Sequence, residues 1–190
     1  MHLTEHLFLS WLLPWRALPE RRDRILVALA GIAPDIDAPI LFVMGGKQAF
    51  IEYHHRYTHH FAGAALAAGA GLAFGKSRWK AAGFATLAWC GHLLLDLVGA
   101  GELNEDGTCA YPLPLLWPFS ARPFDTFPFA WPLASWQNAV VMVFAMALMV
   151  VTALRANRTV VEVVSLRADG AVVGVLRKWF GGKGAASGGG

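Results

Sequence analysis

Between Ile25 and Met44 the only charged residues are Asp35 and Asp37, and they sit between Pro34 and Pro39. An apolar run of this kind matches the ~20 residues that a bilayer-crossing helix needs. Proline, however, removes a backbone donor and clashes with the preceding turn, so the helix is expected to break at Pro34. In lipid, the freed backbone groups and the two carboxylates must face protein, an ion or water. The segment therefore predicts a membrane protein that keeps polar chemistry at a helix break.

The composition agrees. Of 190 residues, 56% are hydrophobic and only 15% charged, against about 25% charged in an ordinary soluble domain. The mean hydropathy is +0.45. The formal net charge is only +3, and the basic residues lie between the apolar blocks. That pattern suits orientation in a membrane and argues against nucleic-acid binding. Cys90 lies in an apolar run and Cys109 in a loop, so no disulfide framework or thiolate site is indicated. The N-terminus lacks a basic start and a small-residue cleavage site and carries Glu5, so it does not read as a removable signal peptide.

Leu3 to Trp15 is a short apolar piece bounded by Pro14 and Pro19, suited to a tilted span, a re-entrant helix or an interfacial helix. Ile25 to Met44 is the first full-length span. A polar connection from Gly45 to Tyr53 leads to a second span that ends near Gly75, rich in Ala and Gly, with Gly71 and Gly75 in the spacing that lets helices pack closely. Ala81 to Ala100 is a third span. The stretch 101–135, rich in proline, Trp and Phe, predicts a packed cap at the membrane interface. Trp136 to Leu154 is a fourth span without an ionisable residue. Beyond it, Thr159 to Leu166 and Ala171 to Leu176 are β-branched runs flanking Arg167-Ala168-Asp169-Gly170, which predicts a β-hairpin. The expected fold is an all-α integral membrane protein with four to five transmembrane or re-entrant helices and a small C-terminal β-hairpin. It divides into a membrane domain over 1–158, a hairpin extension over 159–180 and a disordered Gly-rich tail over 181–190.

Arg16 to Arg24, Lys76 to Lys80, and Arg155 with Arg158 fall on one side if all four spans cross. The positive-inside rule makes that side, and the C-terminus, cytoplasmic. Three polar groups then share one depth near the outer face: Asp35/Asp37, the histidine-rich stretch Tyr53 to His60, and His92/Asp96.

Each group has a bland alternative. Four of the seven histidines fall in Tyr53-His54-His55-Arg56-Tyr57-Thr58-His59-His60. If the stretch is helical, His55 and His59 share a face and can grip one ion, with His54 and His60 turned away. The alternative is a solvated interfacial turn. Asp35 and Asp37 are metal ligands or a break satisfied by backbone amides. His92 and Asp96 are ligands at bundle-helix spacing or an i, i+4 pair holding a helix face. His6 is a further ligand or a surface histidine. Arg56 is a fork donor to phosphate or carboxylate or a snorkelling interface residue. Taken together, imidazoles and carboxylates without thiolate suit one or two divalent ions, zinc first, with manganese or iron also fitting.

His6-Leu7-Phe8, Pro34-Asp35-Ile36-Asp37, His55-Arg56-Tyr57-Thr58-His59, His92-Leu93-Leu94-Leu95-Asp96 and Pro114-Leu115-Leu116-Trp117-Pro118-Phe119 occur in the order of the YdjM-type family, and residues 1–120 resemble it. Members of that family are membrane-bound and read as metal-dependent hydrolases. The resemblance implies a helical inner-membrane protein with a hydrolase-like metal site, and carries over His6, Asp35, Asp37, His55, His59, His92 and Asp96 as ligands. The C-terminal hairpin and the tail lie outside it.

The expected activity is hydrolysis of a phosphoester or other ester of an amphiphilic substrate drawn from, or lying beside, membrane lipids. Asp37 or Asp96 would serve as proton acceptor and Arg56 as oxyanion donor. The reading from another class is a metal-binding or proton-coupled transport protein, since intramembrane Asp and His also mark ion paths. For that, a homodimer packed through Gly71 and Gly75 would enlarge a small scaffold.

Overall fold

The computed structural model describes residues 1–181, with the side chains of residues 51 and 52 set aside. The helices are α1 (Leu3–Leu12), α2 (Arg21–Ile32), a 3-10 turn (Ala33–Ile36), α3 (Asp37–Tyr53), α4 (Phe61–Phe74), α5 (Arg78–Gly99), α6 (Trp136–Ala156), a second 3-10 turn (Val160–Val163) and α7 (Leu166–Phe180). Among the described residues there is no strand. Two isolated bridges, Leu103 to Cys109 and Leu113 to Phe124, pin the long loop.

Three helical stretches are long and apolar enough to cross a membrane: Arg21–Phe50, Arg78–Gly99 and Trp136–Ala156. The last two are single rods. The first is not, and the reason is local. α2 stops at Ile32, and the 3-10 turn begins with Pro34 inside it. α3 then starts at Asp37 and runs 17 residues, interrupted at Gly46 by a non-helical φ of 66° and ψ of −161°. Glycine alone takes that conformation without a Cβ penalty. A straight helix of that length would be about 25 Å long. Instead His54, just beyond its end, lies 2.9 Å from Asp37 at its start. α3 is therefore a hairpin of two short helical limbs turning at Gly45-Gly46. The expected polar connection 45–53 is its returning limb.

α4 is a short apolar helix of 14 residues, about 21 Å long and short of the ~30 Å hydrocarbon core. It packs antiparallel on α5. A Cβ on Gly71 would meet the Ala82 backbone at 2.5 Å, so glycine there sets how closely the two helices approach. The small face around Gly71 is thus taken up within the chain. α2 runs parallel to α5: Asp23 near its start accepts from Lys76 N at 2.7 Å and Ser77 N at 2.9 Å, and Gly31 near its end meets His92. α1 lies against α2 and α6.

The bundle therefore has two ends. At one are Arg21, Arg24, Lys76 and Arg158. At the other are His6, Asp35, His59, His92 and Asp96. Between them the buried core is Val27, Ala30, Ala64, Ala67, Ala85, Ala88 and Trp89. Apolar side chains also point outward: Val43 is 85% exposed and Met44 82%, and Phe144 and Leu94 are more than half exposed. Apolar surface on this scale suits lipid, not water.

The long loop caps the second end and satisfies carbonyls that α5 leaves free at its C-terminus. From the loop, Phe127 N donates to Leu97 O at 3.0 Å and Trp131 N to Val98 O at 2.9 Å, and from the first turn of α6 Asn138 Nδ2 donates to Gly99 O at 3.0 Å.

The expected C-terminal hairpin is not formed: 160–163 is a 3-10 turn and Leu166–Phe180 is helical. Two caps decide it. Thr159 Oγ1 accepts from Val161 N, and Ser165 Oγ accepts from Ala168 N. Asp169 in the first turn of α7 and Arg177 with Lys178 in the last complement the helix dipole. The β-branched run had no partner strand to pair with, whereas Glu162 within it is drawn into the bundle by Arg24. Of the expected tail, residues 182–190 lie outside the described residues.

Candidate metal centre

The break after α2 places Asp35 at the centre of the capped end. Its Oδ1 lies 3.3 Å from His59 Nε2, 3.5 Å from His92 Nε2 and 3.5 Å from His54 Nε2. Asp96, one turn beyond His92 on α5, puts Oδ2 at 3.0 Å from His92 Nε2 and 3.4 Å from His59 Nε2. The two imidazole Nε2 atoms of His59 and His92 are 3.1 Å apart.

Two overlapping groups result, Asp35/His59/His92/Asp96 and Asp35/His54/His55/His59. In each, the potential donor atoms lie within 4.8 Å of one another, and Asp35 and His59 belong to both. All members except His54 are buried, His59 completely.

The backbone between α3 and α4 delivers the histidines, but not as a helix. Residues 54–60 form turns, so the expected shared helical face of His55 and His59 does not exist. His55 instead adopts a left-handed backbone, φ 77°, a conformation rare for residues with a Cβ and concentrated at functional sites. That geometry brings its ring to 4.1 Å from His59. Burial pushes the His55 imidazole well below its ordinary pKa, so the ring is neutral and keeps a lone pair.

Supporting contacts fix which nitrogen faces inward. His92 Nδ1 is 2.7 Å from Gly31 O, a carbonyl in the last turn of α2. A carbonyl only accepts, so Nδ1 carries a proton and Nε2 is the nitrogen turned towards the carboxylates. Thr58 Oγ1 donates to Asp37 Oδ2 at 3.3 Å and sits 3.0 Å from His59 Nδ1, which gives His59 the same tautomer. Asp37 Oδ1 takes His54 Nδ1 at 2.9 Å. Asp37 thus stands behind the histidines, outside both groups.

His6, on α1, reaches Asp96 Oδ1 at 3.1 Å and stacks on His92 with centroids 3.7 Å apart, at the edge of the cluster. The Met1 amino group also lies on Asp96 Oδ1. Arg56 is exposed, its guanidinium 6.0 Å above the Tyr53 ring, and is not among the clustered side chains. His60 is structural: Nδ1 caps α4 through Gly63 N, and its carbonyl accepts from Trp89 Nε1.

The residue that sequence reasoning turned away is His54. The hairpin in α3 returns it to the site, and Gly45-Gly46 inside an apolar segment was the pattern that could have shown it.

The donor set fits a divalent transition ion. Nitrogen and carboxylate oxygen atoms converge without thiolate. The buried atoms His6 Nδ1, His55 Nδ1 and Asp96 Oδ2 have no hydrogen-bond partner among the described residues, although Asp96 Oδ2 is within 3.0 Å of an imidazole nitrogen. Buried polar atoms left so are costly unless something else engages them. The cluster opens onto a cavity of about 190 Å³ lined by Asp35, His54, His55 and Asp96 and by apolar Leu3, Ala38, Phe50 and Leu133. Tyr111 also lines it, and burial raises its pKa, so its phenol stays protonated.

An all-helical bundle, apolar outside, with a buried histidine–aspartate cluster under a loop cap defines a helical membrane protein with a candidate metal centre. The family model described as YdjM inner membrane protein matches residues 3–180, and the chain belongs to that family. The match runs through α7, beyond the 1–120 resemblance read from motifs. No curated protein and no solved structure matches this chain.

Proposed function

We propose that the protein is a metal-dependent hydrolase of the inner membrane, acting on a phosphoester or other ester of an amphiphilic substrate. The observation that carries the reading is the pair of overlapping His/Asp groups sharing Asp35 and His59 at the floor of a largely apolar cavity. The ligands in this reading are Asp35, His54, His55, His59, His92 and Asp96, with His6 at the edge. They would hold one or two ions, zinc first, and Asp35 is the carboxylate placed to serve both groups. A bound divalent ion supplies Lewis acidity, bringing water towards ionisation at neutral pH and polarising the scissile ester. The chain's own residues do the rest. Gly31 O and Thr58 hold the His92 and His59 tautomers, and Asp37 orients His54. Asp96 presents Oδ2, which lacks a hydrogen-bond partner among the described residues, as a ligand oxygen beside the His59 and His92 Nε2 atoms, while His6 and the Met1 amino group hold Oδ1; the proton of the attacking water would leave through the cavity. The apolar wall excludes bulk water and accepts the hydrophobic part of the substrate.

The apolar layer Val27, Ala30, Ala85 and Ala88 between the cluster and the basic end supports a hydrolase over an ion path, which needs polar groups along its length. The basic end is taken as cytoplasmic and the cluster as facing the outer leaflet.

Elemental analysis of detergent-purified wild type, His59→Ala and Asp96→Ala tests the reading. Bound transition metal in the wild type and its loss from both monodisperse variants is the expected result. No metal in wild type after zinc, manganese or iron supplementation would sink it.

A further inference from the structure

Beside the cavity over the cluster lies a second depression, an open groove of about 310 Å³ lined by His54, Arg56, Tyr111, Pro112, Pro114 and Pro123, among others. His54 and Tyr111 line both spaces. The two therefore meet at a common wall that contains one of the clustered imidazoles.

Their chemistry differs. The cavity over the cluster has apolar walls. In the groove, Arg56 is the one lining side chain with a permanent charge, and no carboxylate pairs with it among the described residues. Pro112, Pro114 and Pro123 have no backbone N–H to offer. The charge that would draw an anion there is the Arg56 guanidinium, a rigid fork matched to phosphate and carboxylate oxygens, with the neutral Tyr111 hydroxyl as a further donor in the lining. The prolines also fix φ along the lining, so the fork works beside a stiff surface.

We propose that the Arg56 groove is the subsite for the anionic end of the substrate, while the neighbouring cavity holds its apolar chain, so that the ester between them lies over the histidine–aspartate cluster. The inference rests on the hydrolase reading above and narrows its substrate to an amphiphile bearing an anionic head. Arg56 is thereby a specificity residue and not an oxyanion donor.

Equilibrium binding to the detergent-purified full chain tests this without requiring turnover. Dodecyl phosphate and dodecanol share a chain and differ in charge, and metal content is measured on every sample. In Arg56→Ala the preference for dodecyl phosphate over dodecanol should fall about tenfold, the scale of one charge-assisted contact in an open groove, with metal content unchanged. Ala38→Trp, which fills the apolar cavity, should weaken both probes equally. An unchanged preference in Arg56→Ala at full metal content would overturn the subsite. So would loss of only dodecyl phosphate in Ala38→Trp. Displacement of dodecyl phosphate by equimolar inorganic phosphate would mean that the groove takes a free anion, and the amphiphile part of the proposal would fall. Metal-free wild type defeats the hydrolase reading separately, whichever way the preference moves.

Discussion

The two ends of the bundle both bury charged side chains, and they treat them oppositely. At the basic end Glu162 is enclosed by donors: Arg24 Nε and Nη2 each reach a carboxylate oxygen at 2.6 Å, and Trp11 Nε1 adds a third bond at 2.9 Å. Arg24 Nη1 finds Leu18 O and Pro19 O. Asp169 takes both Thr159 N and Oγ1. At the capped end, imidazole nitrogens and carboxylate oxygens converge on one another, and His6 Nδ1, His55 Nδ1 and Asp96 Oδ2 have no hydrogen-bond partner among the described residues. Each acid at the basic end has the donors it needs within the chain. The capped end has an excess of acceptors that only a cation or proton can balance. Arg158 Nε at the basic end also lacks a partner among the described residues, but it is a donor on a cation and offers nothing to a metal. Buried polarity points to a metal where unmatched acceptors converge, and to structure where each acid is matched by donors.

The sharpest way to break this comparison is to remove one partner at the matched end. Glu162→Ala leaves Arg24 buried without its carboxylate and Trp11 Nε1 without its acceptor, while the Arg21 bond to the backbone carbonyl of residue 162 remains. Loss of one partner of a buried pair costs about 3–5 kcal/mol. Thermal unfolding in detergent should show the largest fall of any variant considered, and chelator should add the same further decrement as in wild type. His59→Ala should behave the other way. It removes one of the mismatched acceptors and, if the cluster holds the proposed ion, that ion's contribution as well, so chelator should no longer move its midpoint. Equal chelator sensitivity of the two variants would erase the distinction between the ends.

A smaller effect is expected one shell out. Asp37→Asn keeps the size of the side chain but removes the charge behind His54 Nδ1 and Thr58. Partners of this kind typically contribute about 10–100-fold in metal affinity. Competition with a chromogenic chelator should show a drop in that range with the folded fraction unchanged. An affinity equal to wild type would mean that His54 is not held for metal.

These residues were not equally visible in the sequence. Asp35, His92 and Asp96 stood out because charge inside an apolar run has few structural uses at that depth. The membrane class was visible for the same reason. A helical period turns His54 away from His55 and His59, but the backbone leaves the helix after Tyr53 and turns left-handed at His55, which no periodicity signals. The supporting roles of Asp37 and Thr58 depend on the α3 hairpin folding back, a long-range event signalled only by Gly45-Gly46. In 159–180 the β-branched residues suggest a hairpin, but the caps Thr159 and Ser165 outweigh them. Leu166, Val173, Leu176 and Phe180 already recur at helical spacing. Arg56 was visible as a residue, but its separation from the cluster depends on how the 101–135 loop folds beside it.

The finest test concerns a single hydroxyl. Thr58 Oγ1 donates to Asp37, so it can only accept from His59 Nδ1, and that polarity leaves His59 Nε2 free to face Asp35 and Asp96. Thr58→Val keeps the shape and removes the relay. Loss of one such hydrogen bond costs about 1 kcal/mol, so metal affinity should fall several-fold, less than in Asp37→Asn. Thr58→Ser restores the donor and acceptor and should return most of the affinity, which a purely steric role for the threonine methyl would not allow. In the nitrogen NMR spectrum of metal-free protein, His59 should be locked as the Nδ1–H tautomer in wild type and mixed in Thr58→Val. A single unchanged tautomer in the variant would show that the mismatch at this end is set by the histidines alone, and that the relay does not create it.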